Sequence, residues 1–254
     1  MKPMFTSLSA AAAIVAVAAV VGCGSDESGS ADTSPAETDD ALPKGADHVS
    51  LDPSEFTTEI DNPWWPMRPG SRWVYDEVEE GERQSVEVTV TDRAKVVDGI
   101  EARVVHDVVS AVGGESVEVT DDYYAQDAEG NVWYLGEKTA EYENGKRVST
   151  AGSFEAGVDG AEAGVIMPAD PEPGLEYREE YYPGEAEDAA TVLSLDEQAG
   201  VPAGHYTTAL MTSNVNPLEP EVQEYKFYAR GVGPVLALHA SPETGSEELV
   251  AFRP

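Results

Sequence analysis

The chain has 254 residues, with 49 Asp and Glu against 15 Lys and Arg, which gives a formal net charge of −34. Hydrophobic residues make up 41%, enough for a folded core, so wholesale disorder is excluded. The excess of acid argues against nucleic acid as a partner, because phosphate binding needs clustered Lys and Arg.

Residues 1–22 predict an export signal peptide. Lys2 is the only charged residue before Asp26, and an uninterrupted apolar run extends from Ala10 to Val21. As a helix this run would span about 18 Å, which is shorter than the roughly 30 Å hydrocarbon core of a bilayer. A basic start, a short apolar run and small residues are typical of a secretory signal. A buried globular helix is disfavoured because the run has no polar face.

Cys23 is the only cysteine of the chain, which excludes an intrachain disulfide and a Cys-based zinc cluster. The residues Val20-Val21-Gly22-Cys23 resemble the lipobox of bacterial lipoproteins at all four positions. The resemblance implies cleavage before Cys23 and attachment of a diacylglyceryl group to its thiol. Several acyl chains, palmitate among them, hold a protein stably on a membrane. The expected partner is therefore the cell membrane, on its extracytoplasmic side. A lone cysteine is otherwise most often a buried small hydrophobe.

Residues 23–47 predict a lipidated, flexible and acidic tether. Ser, Asp, Glu, Ala and Gly dominate this segment, so it buries too little apolar surface to offset its ordering entropy. A coil of this length has a root-mean-square reach of roughly 25–30 Å. The alternative is an acidic interaction tail.

The segment from Asp61 to Pro69 holds the densest group of aromatic residues and prolines, with Trp64 and Trp65 side by side. Two adjacent Trp rings on an extended, proline-rich backbone suit a ligand-binding surface. The favoured alternative is that this arm docks across one open end of the body and buries its rings.

From Arg72 onward the pattern is strand, turn, strand. Val86–Val90 and Val117–Thr120 alternate with period two. Asn144-Gly145 between two extended runs is typical of a type I′ hairpin, since both residues tolerate positive φ. No later stretch has a convincing helical period. The sequence therefore predicts a single all-β, antiparallel domain over residues 48–254, arranged as a sandwich or a partly open barrel.

The body also carries an internal repeat, predicted as two similar β units at about residues 69–136 and 173–240. Four ordered anchors hold an offset of 103–105 residues. They are Pro69-Gly70 with Pro173-Gly174, Gly99 with Gly204, Tyr124-Ala125 with Tyr228-Ala229, and Val132 with Val235. The alternative is two unrelated meanders that share common turn chemistry.

Three further strings of the body are distinctive. They are NPWWPMRPGSRWVY at 62–75, YYAQDAEGNVWY at 123–134 and GVDGAEAGVIMPADP at 157–171. Together they resemble an uncharacterised family of exported bacterial proteins over roughly residues 60–250. The resemblance implies one exported β domain, and it implies no activity, cofactor or catalytic residue.

The segment 177–188 places five carboxylates and the pair Tyr181 and Tyr182 around a Pro-Gly turn. Clustered carboxylates suit Ca²⁺ binding or acid–base chemistry. The favoured alternative is a solvated hairpin tip. The sequence has no regular ligand spacing here, so whether this cluster binds Ca²⁺ stays open.

No sequence motif identifies a catalytic residue, a metal site or a cofactor. The four histidines form no HxH or HExxH pair, and GxSxG, GxGxxG after a strand and GxxxxGK[ST] are absent. The leading hypothesis is a non-enzymatic, membrane-anchored binding or envelope-associated module for a small ligand, with an apolar ligand as one option. Trp64, Trp65, Tyr181 and Tyr182 are the expected lining residues. The alternatives are a hydrolase that uses the carboxylates near Tyr181–Asp188 and a structural envelope protein without a ligand.

Overall fold

The computed structural model describes residues 41–79, 81–241 and 244–254. The predicted signal peptide, Cys23 and the tether up to residue 40 lie outside these residues. A 3₁₀ turn at Pro53–Glu55 precedes fifteen strands. The strands are β1 Phe56–Thr57, β2 Arg72–Glu79, β3 Glu82–Val97, β4 Ile100–Ala111, β5 Ser116–Asp127, β6 Val132–Glu143, β7 Lys146–Ser149, β8 Phe154–Glu155, β9 Gly164–Met167, β10 Glu176–Arg178, β11 Ala189–Val201, β12 Gly204–Val215, β13 Gln223–Ala229, β14 Gly233–Ser241 and β15 Gly245–Arg253.

The strands form one antiparallel sheet, which confirms the predicted all-β class. Its main path follows the order β10-β11-β12-β13-β14-β15-β2-β3-β4-β5-β6-β7, while β1 pairs with β5, and β8 and β9 pair with β6. β7 and β10 end this path, so the sheet is not closed into a barrel. No helix in the described part of the chain has the length and apolar character needed to cross a bilayer.

The sheet curls so that its two ends approach each other. Glu162, just before β9, bridges to Tyr181, just after β10, and its amide donates to the Tyr181 carbonyl over 2.8 Å. A Cβ on Gly164 would lie 2.1 Å from the carbonyl oxygen of Glu179. The backbones therefore meet at a distance that only glycine allows.

Both faces of the sheet are covered. Because side chains alternate along a strand, Tyr124 joins the core inside the curl, and its neighbour Tyr123 joins a second core on the outside. The face inside the curl is called the inner face below. Its core includes Trp73, Tyr75, Tyr134, Tyr228 and Leu249. The outer core includes Trp133, Val165 and Tyr177, and Leu42, Val49, Leu51 and Phe56 pack on it.

The end of the predicted tether packs against the body. Arg178 is 1% exposed and is held by the chain around it. Its amide donates to the Pro43 carbonyl over 2.8 Å, and its guanidinium donates to the carbonyls of Gly45, Asp47 and Ala163. These contacts fix residues 43–47 on the edge of β10.

The two predicted repeats share local features in the structure. Gly70 and Gly174 have φ of 92° and 94°, and each amide donates over 2.8 Å to the carbonyl of a strand valine, Val90 or Val192. A two-residue turn joins β3 to β4 and another joins β11 to β12.

Two anchors are shifted relative to the sequence alignment. Gly99 lies in the β3–β4 turn, whereas Gly204 is the first residue of β12. Val235 lies in a bulge opposite Phe227 and Tyr228, the position that Leu135 takes opposite Tyr123 and Tyr124. Duplication of an ancestral unit stays a prediction.

Candidate functional site

A cavity opens on the inner face, between the proline-rich arm and strands β2 to β5, β14 and β15. The space between its lining side chains is about 480 Å³ including its opening, and about 40 Å³ of it can hold the centre of a water molecule. That exceeds the roughly 10–15 Å³ that one water needs and suits a small ligand. The lining residues are Trp65, Met67, Trp73, Tyr75, Val88, Val90, Val105, Asp107, Asp122, Tyr124, Pro234 and Glu247.

Hydrogen bonds hold two of the aromatic walls in place. Trp73 Nε1 donates to the Val232 carbonyl over 2.7 Å, and the Tyr75 hydroxyl donates to the Pro234 carbonyl over 3.1 Å. Val232 directly precedes β14, and Pro234 is its second residue. Because their polar atoms are satisfied there, these two side chains contribute mainly ring surface to the cavity.

Gly233 leaves the space that the indole ring of Trp65 occupies. A Cβ on Gly233, whose φ is 101°, would lie 2.9 Å from Cδ1 of the indole. The Trp65 ring packs against the rings of Tyr124 and Tyr228, with centroids 6.0 Å and 5.7 Å away. Trp65 and Val88 are the half-exposed members of the lining, and the other ten are buried.

Three carboxyl groups line this apolar cavity: Asp107, Asp122 and Glu247. Glu247 is 1% exposed, and no described residue hydrogen-bonds to either of its carboxyl oxygens. It pairs in register with Glu77 on β2. Burial raises the pKa of Glu247 well above its usual range, and the nearby charges of Glu77 and Asp107 raise it further. The cavity therefore holds an acid that is costly to ionise as the structure stands.

Asp122, the second carboxyl group of the cavity, shares a proton with Glu137 through the hydroxyl of Tyr134. The Tyr134 hydroxyl lies 2.7 Å from both Asp122 Oδ1 and Glu137 Oε2. A hydroxyl has one hydrogen, so it donates to one carboxyl and accepts from the other, which must be protonated. Burial raises the pKa of Asp122 to about 7. Burial, followed by the charge of Asp122, raises the pKa of Glu137 well above its usual range, so Glu137 keeps the proton.

A second set of acidic side chains surrounds Lys226 on the inner face. Lys226 Nζ lies 3.3 Å from Glu224 and 3.9 Å from Glu179. Burial alone would lower the pKa of Lys226, but Glu224 and Glu179 raise it well above its usual range. Burial raises the pKa of Glu179 to about 7, with Lys226 opposing the shift. Burial raises the pKa of Glu180 as well, together with the charge of Asp188.

Trp64 and Trp65, both predicted to line a ligand site, have different environments. Trp64 is 2% exposed in the inner core, with the Arg230 guanidinium 4.1 Å above its ring. This environment fits the alternative in which the arm docks on the body. Trp65, in contrast, lines the cavity.

The two predicted Tyr residues lie elsewhere. Tyr181 is half-buried, with its ring 5.6 Å from the Arg178 guanidinium. Tyr182 lines a separate surface cleft beside Phe154 and Ala161. Of the four residues predicted to line a ligand site, Trp65 lines this cavity. That any of the four contacts a ligand stays a prediction.

The acidic segment 179–188 departs from the favoured expectation of a solvated hairpin tip. Glu179 and Glu180 are 1% and 0% exposed, so that expectation is wrong for these two residues. Asn214 Nδ2 donates to Glu179 over 2.7 Å, which ties the segment to the inner face of β12. In the part of the chain that the structure describes, no three His, Cys, Asp or Glu side chains are grouped to hold a metal ion.

The inner carboxyl groups were not predicted from the sequence, although the sequence carries a signal for them. Residues two apart share a strand face. Glu77 follows Tyr75 by two positions, Asp122 precedes Tyr124 by two, and Glu247 precedes Leu249 by two. Charged residues on the apolar face of a strand are rarely fully buried without a partner, so this pattern marks polar groups inside the core.

Comparison with known proteins gives no family. No protein-family model matches the chain, and no curated protein matches it significantly. A crystal structure of a candidate exported protein with a YmcC-like fold from Bacteroides fragilis is similar at TM-score 0.44 and 14% identity, covering 75% of this chain and 99% of that one. A candidate lipoprotein from Parabacteroides distasonis is similar at TM-score 0.39 and 11% identity, covering 75% and 98%. Similarity at this level informs on neither ligand nor activity.

Proposed function

We propose that this protein is an exported lipoprotein, held by lipid on Cys23 at the extracytoplasmic side of the cell membrane, and that its β body binds a small ligand in the inner cavity. The observation that supports the binding function is the cavity itself, which has aromatic walls and three buried carboxyl groups. Convergent polar groups in an otherwise apolar pocket are typical of ligand sites.

The energetics favour a ligand over a purely structural role. Burying a carboxyl group without hydrogen-bond partners costs free energy, and well-packed apolar residues in its place are often more stabilising. A body that only had to be stable would gain from an apolar residue in place of Glu247. Its position in the cavity instead supports a function that uses the carboxyl group.

The hydrolase alternative is less well supported. It relies on the carboxylates near Tyr181–Asp188, of which Glu179 and Glu180 are fully buried. A general acid or base must come within hydrogen-bond reach of its substrate. The carboxyl group of Glu179 instead accepts a hydrogen bond from Asn214 and pairs with Lys226, so its partners lie within the protein.

Lipid attachment is tested on the full-length chain in its host. Cys23→Ala is expected to abolish incorporation of labelled palmitate and to release the protein from the membrane fraction, because the thiol is the attachment point. Ser25→Ala, two residues away, is the control and should keep both. Unchanged labelling and membrane association in Cys23→Ala would refute the anchor.

Ligand binding is tested by native mass spectrometry of the protein extracted from its own envelope. A bound small molecule is expected as a mass increment on the wild-type protein. Val88→Phe should remove this increment, because Val88 lines the cavity and the larger ring occupies it. Val96→Phe is the matched control, since Val96 lies on the same strand and is 63% exposed. No increment on the wild type, or one that Val88→Phe leaves intact, would contradict the proposal.

A further inference from the structure

We propose that the ligand of the inner cavity is a small organic cation of the alkylammonium class. This inference rests on the proposed function, because it names the chemistry of the ligand for the same cavity. It is carried by the juxtaposition of aromatic ring surfaces with buried carboxyl groups in one small space.

The walls supply the first element of recognition. Trp65, Trp73, Tyr75 and Tyr124 all line the cavity. A cation near the face of such a ring is attracted by the electrons of the ring, and the attraction is stronger when water is excluded. Aromatic groups around an ammonium ion are a recognised means of binding it.

The carboxyls supply the second element. Glu247 is buried in the wall with no hydrogen-bond partner among the described residues, and Asp107 and Asp122 line the same space. None of the described side chains that line the cavity is Lys, Arg or His. A bound cation would provide the opposite charge that the lining itself does not supply.

The same features disfavour other ligand classes. A fatty acid adds a fourth carboxyl group to a site that already holds three, and like charges in a buried site repel strongly. A long acyl chain also exceeds a cavity in which only about 40 Å³ can hold the centre of a water molecule. The net charge of −34 attracts cations toward the molecule as a whole.

Cation binding is expected to release protons. Glu247 faces Glu77 on β2 and Asp107 on β4, and it also interacts with Glu224 and Lys226 on β13. Burial raises its pKa, as do the charges of Glu77 and Asp107. A cation beside the carboxyl favours the ionised form, so affinity should increase from pH 6 to pH 9.

The test compares three ligands of similar shape by titration calorimetry, using the full-length protein in maltoside micelles. Choline is the cation, 3,3-dimethylbutan-1-ol is its neutral counterpart and 3,3-dimethylbutanoate is an anion. Choline is expected to bind saturably, with release of protons, and the other two at least tenfold more weakly. Equal or tighter binding of the neutral compound would overturn the cation inference and leave the ligand-binding function in place.

Two matched variants locate the site. Glu247→Gln is expected to weaken choline binding at least tenfold, about 1.4 kcal/mol, while Glu248→Gln, the neighbour on the opposite strand face, should leave it unchanged. Val88→Phe should abolish choline binding. Binding of choline that survives both Glu247→Gln and Val88→Phe would overturn the assignment to this cavity.

The outcomes also separate the two proposals. If no compound binds but the envelope-extracted protein carries a ligand, only the cation inference fails. If neither is seen, both proposals fail.

Discussion

The hydroxyl of Tyr134 links two carboxyl groups that would otherwise repel each other. It lies 2.7 Å from Asp122 and from Glu137, on neighbouring strands of the inner face. Thr139 Oγ1 donates to the other oxygen of Glu137 over 3.1 Å. This chain of hydrogen bonds keeps one proton between two buried acids, and a buried polar network of this kind stabilises only while every member is satisfied.

Tyr134→Phe is therefore expected to destabilise the protein by about 1–3 kcal/mol at pH 8, since the ionised carboxyl loses its donor. At pH 5, where both carboxyls are protonated, the loss should be smaller. Urea unfolding at the two pH values measures the difference. Tyr142→Phe is the control, because Tyr142 is half-exposed near the end of β6. Equal losses at both pH values would refute the shared proton.

Several strands of the sheet could be predicted from the sequence. Val86–Val90 lies within β3 and Val117–Thr120 within β5. Asn144 and Gly145 have φ of 52° and 69° and connect β6 to β7, as predicted. These successes depend on local signals, namely alternation and turn chemistry.

The location of the cavity could not be predicted in this way. It forms where the arm and β2 meet β14 and β15, and these two parts of the chain are distant in sequence. The prediction of lining residues relied on aromatic density, and of the two adjacent Trp residues Trp65 lines the cavity whereas Trp64 lies in the inner core. Burial of Glu179 and Glu180 was missed because the segment is polar in sequence, and only the curl of the sheet encloses it.

The N-terminal segment depends on Arg178 for its attachment. The guanidinium donates to three backbone carbonyls, two of them in residues 45–47. Arg178→Met is expected to leave these acceptors unsatisfied and to lower the free energy of unfolding by about 3 kcal/mol. Faster hydrogen exchange at residues 43–51 is expected as well. Arg147→Met, at an exposed position on β7, is the control. Unchanged exchange in Arg178→Met would contradict the role of this residue.

The buried acids make the stability of the folded protein depend on pH. Burial raises the pKa of Asp122 and Glu179 to about 7 in the folded protein, whereas in the unfolded chain they ionise near pH 4. Their protonation therefore favours the folded state below about pH 4, and this stabilisation is lost as the pH rises through about 7. The melting temperature should fall between pH 5 and pH 9, and the free energy of unfolding should fall by on the order of 3 kcal/mol for each of the two acids.

General charge repulsion also weakens in acid, so the pH slope alone does not identify its source. Asp122→Asn should flatten the slope, since the neutral amide has no proton to lose. Glu115→Gln removes one carboxylate at an exposed position between β4 and β5 and should leave the slope unchanged. Stability that increases with pH in the wild type would refute the protonated interior.

The position of β15 has a consequence for the order of folding. Residues 245–253 pair with β14 on one side and with β2 on the other, so that Arg253 lies opposite Arg72. A nascent chain that has emerged only to residue 240 leaves the edges of β2 and β14 unpaired, and such edges invite aggregation. Contacts this far apart along the chain also slow folding. The body should therefore remain open until β15 is available to pair with both of these edges.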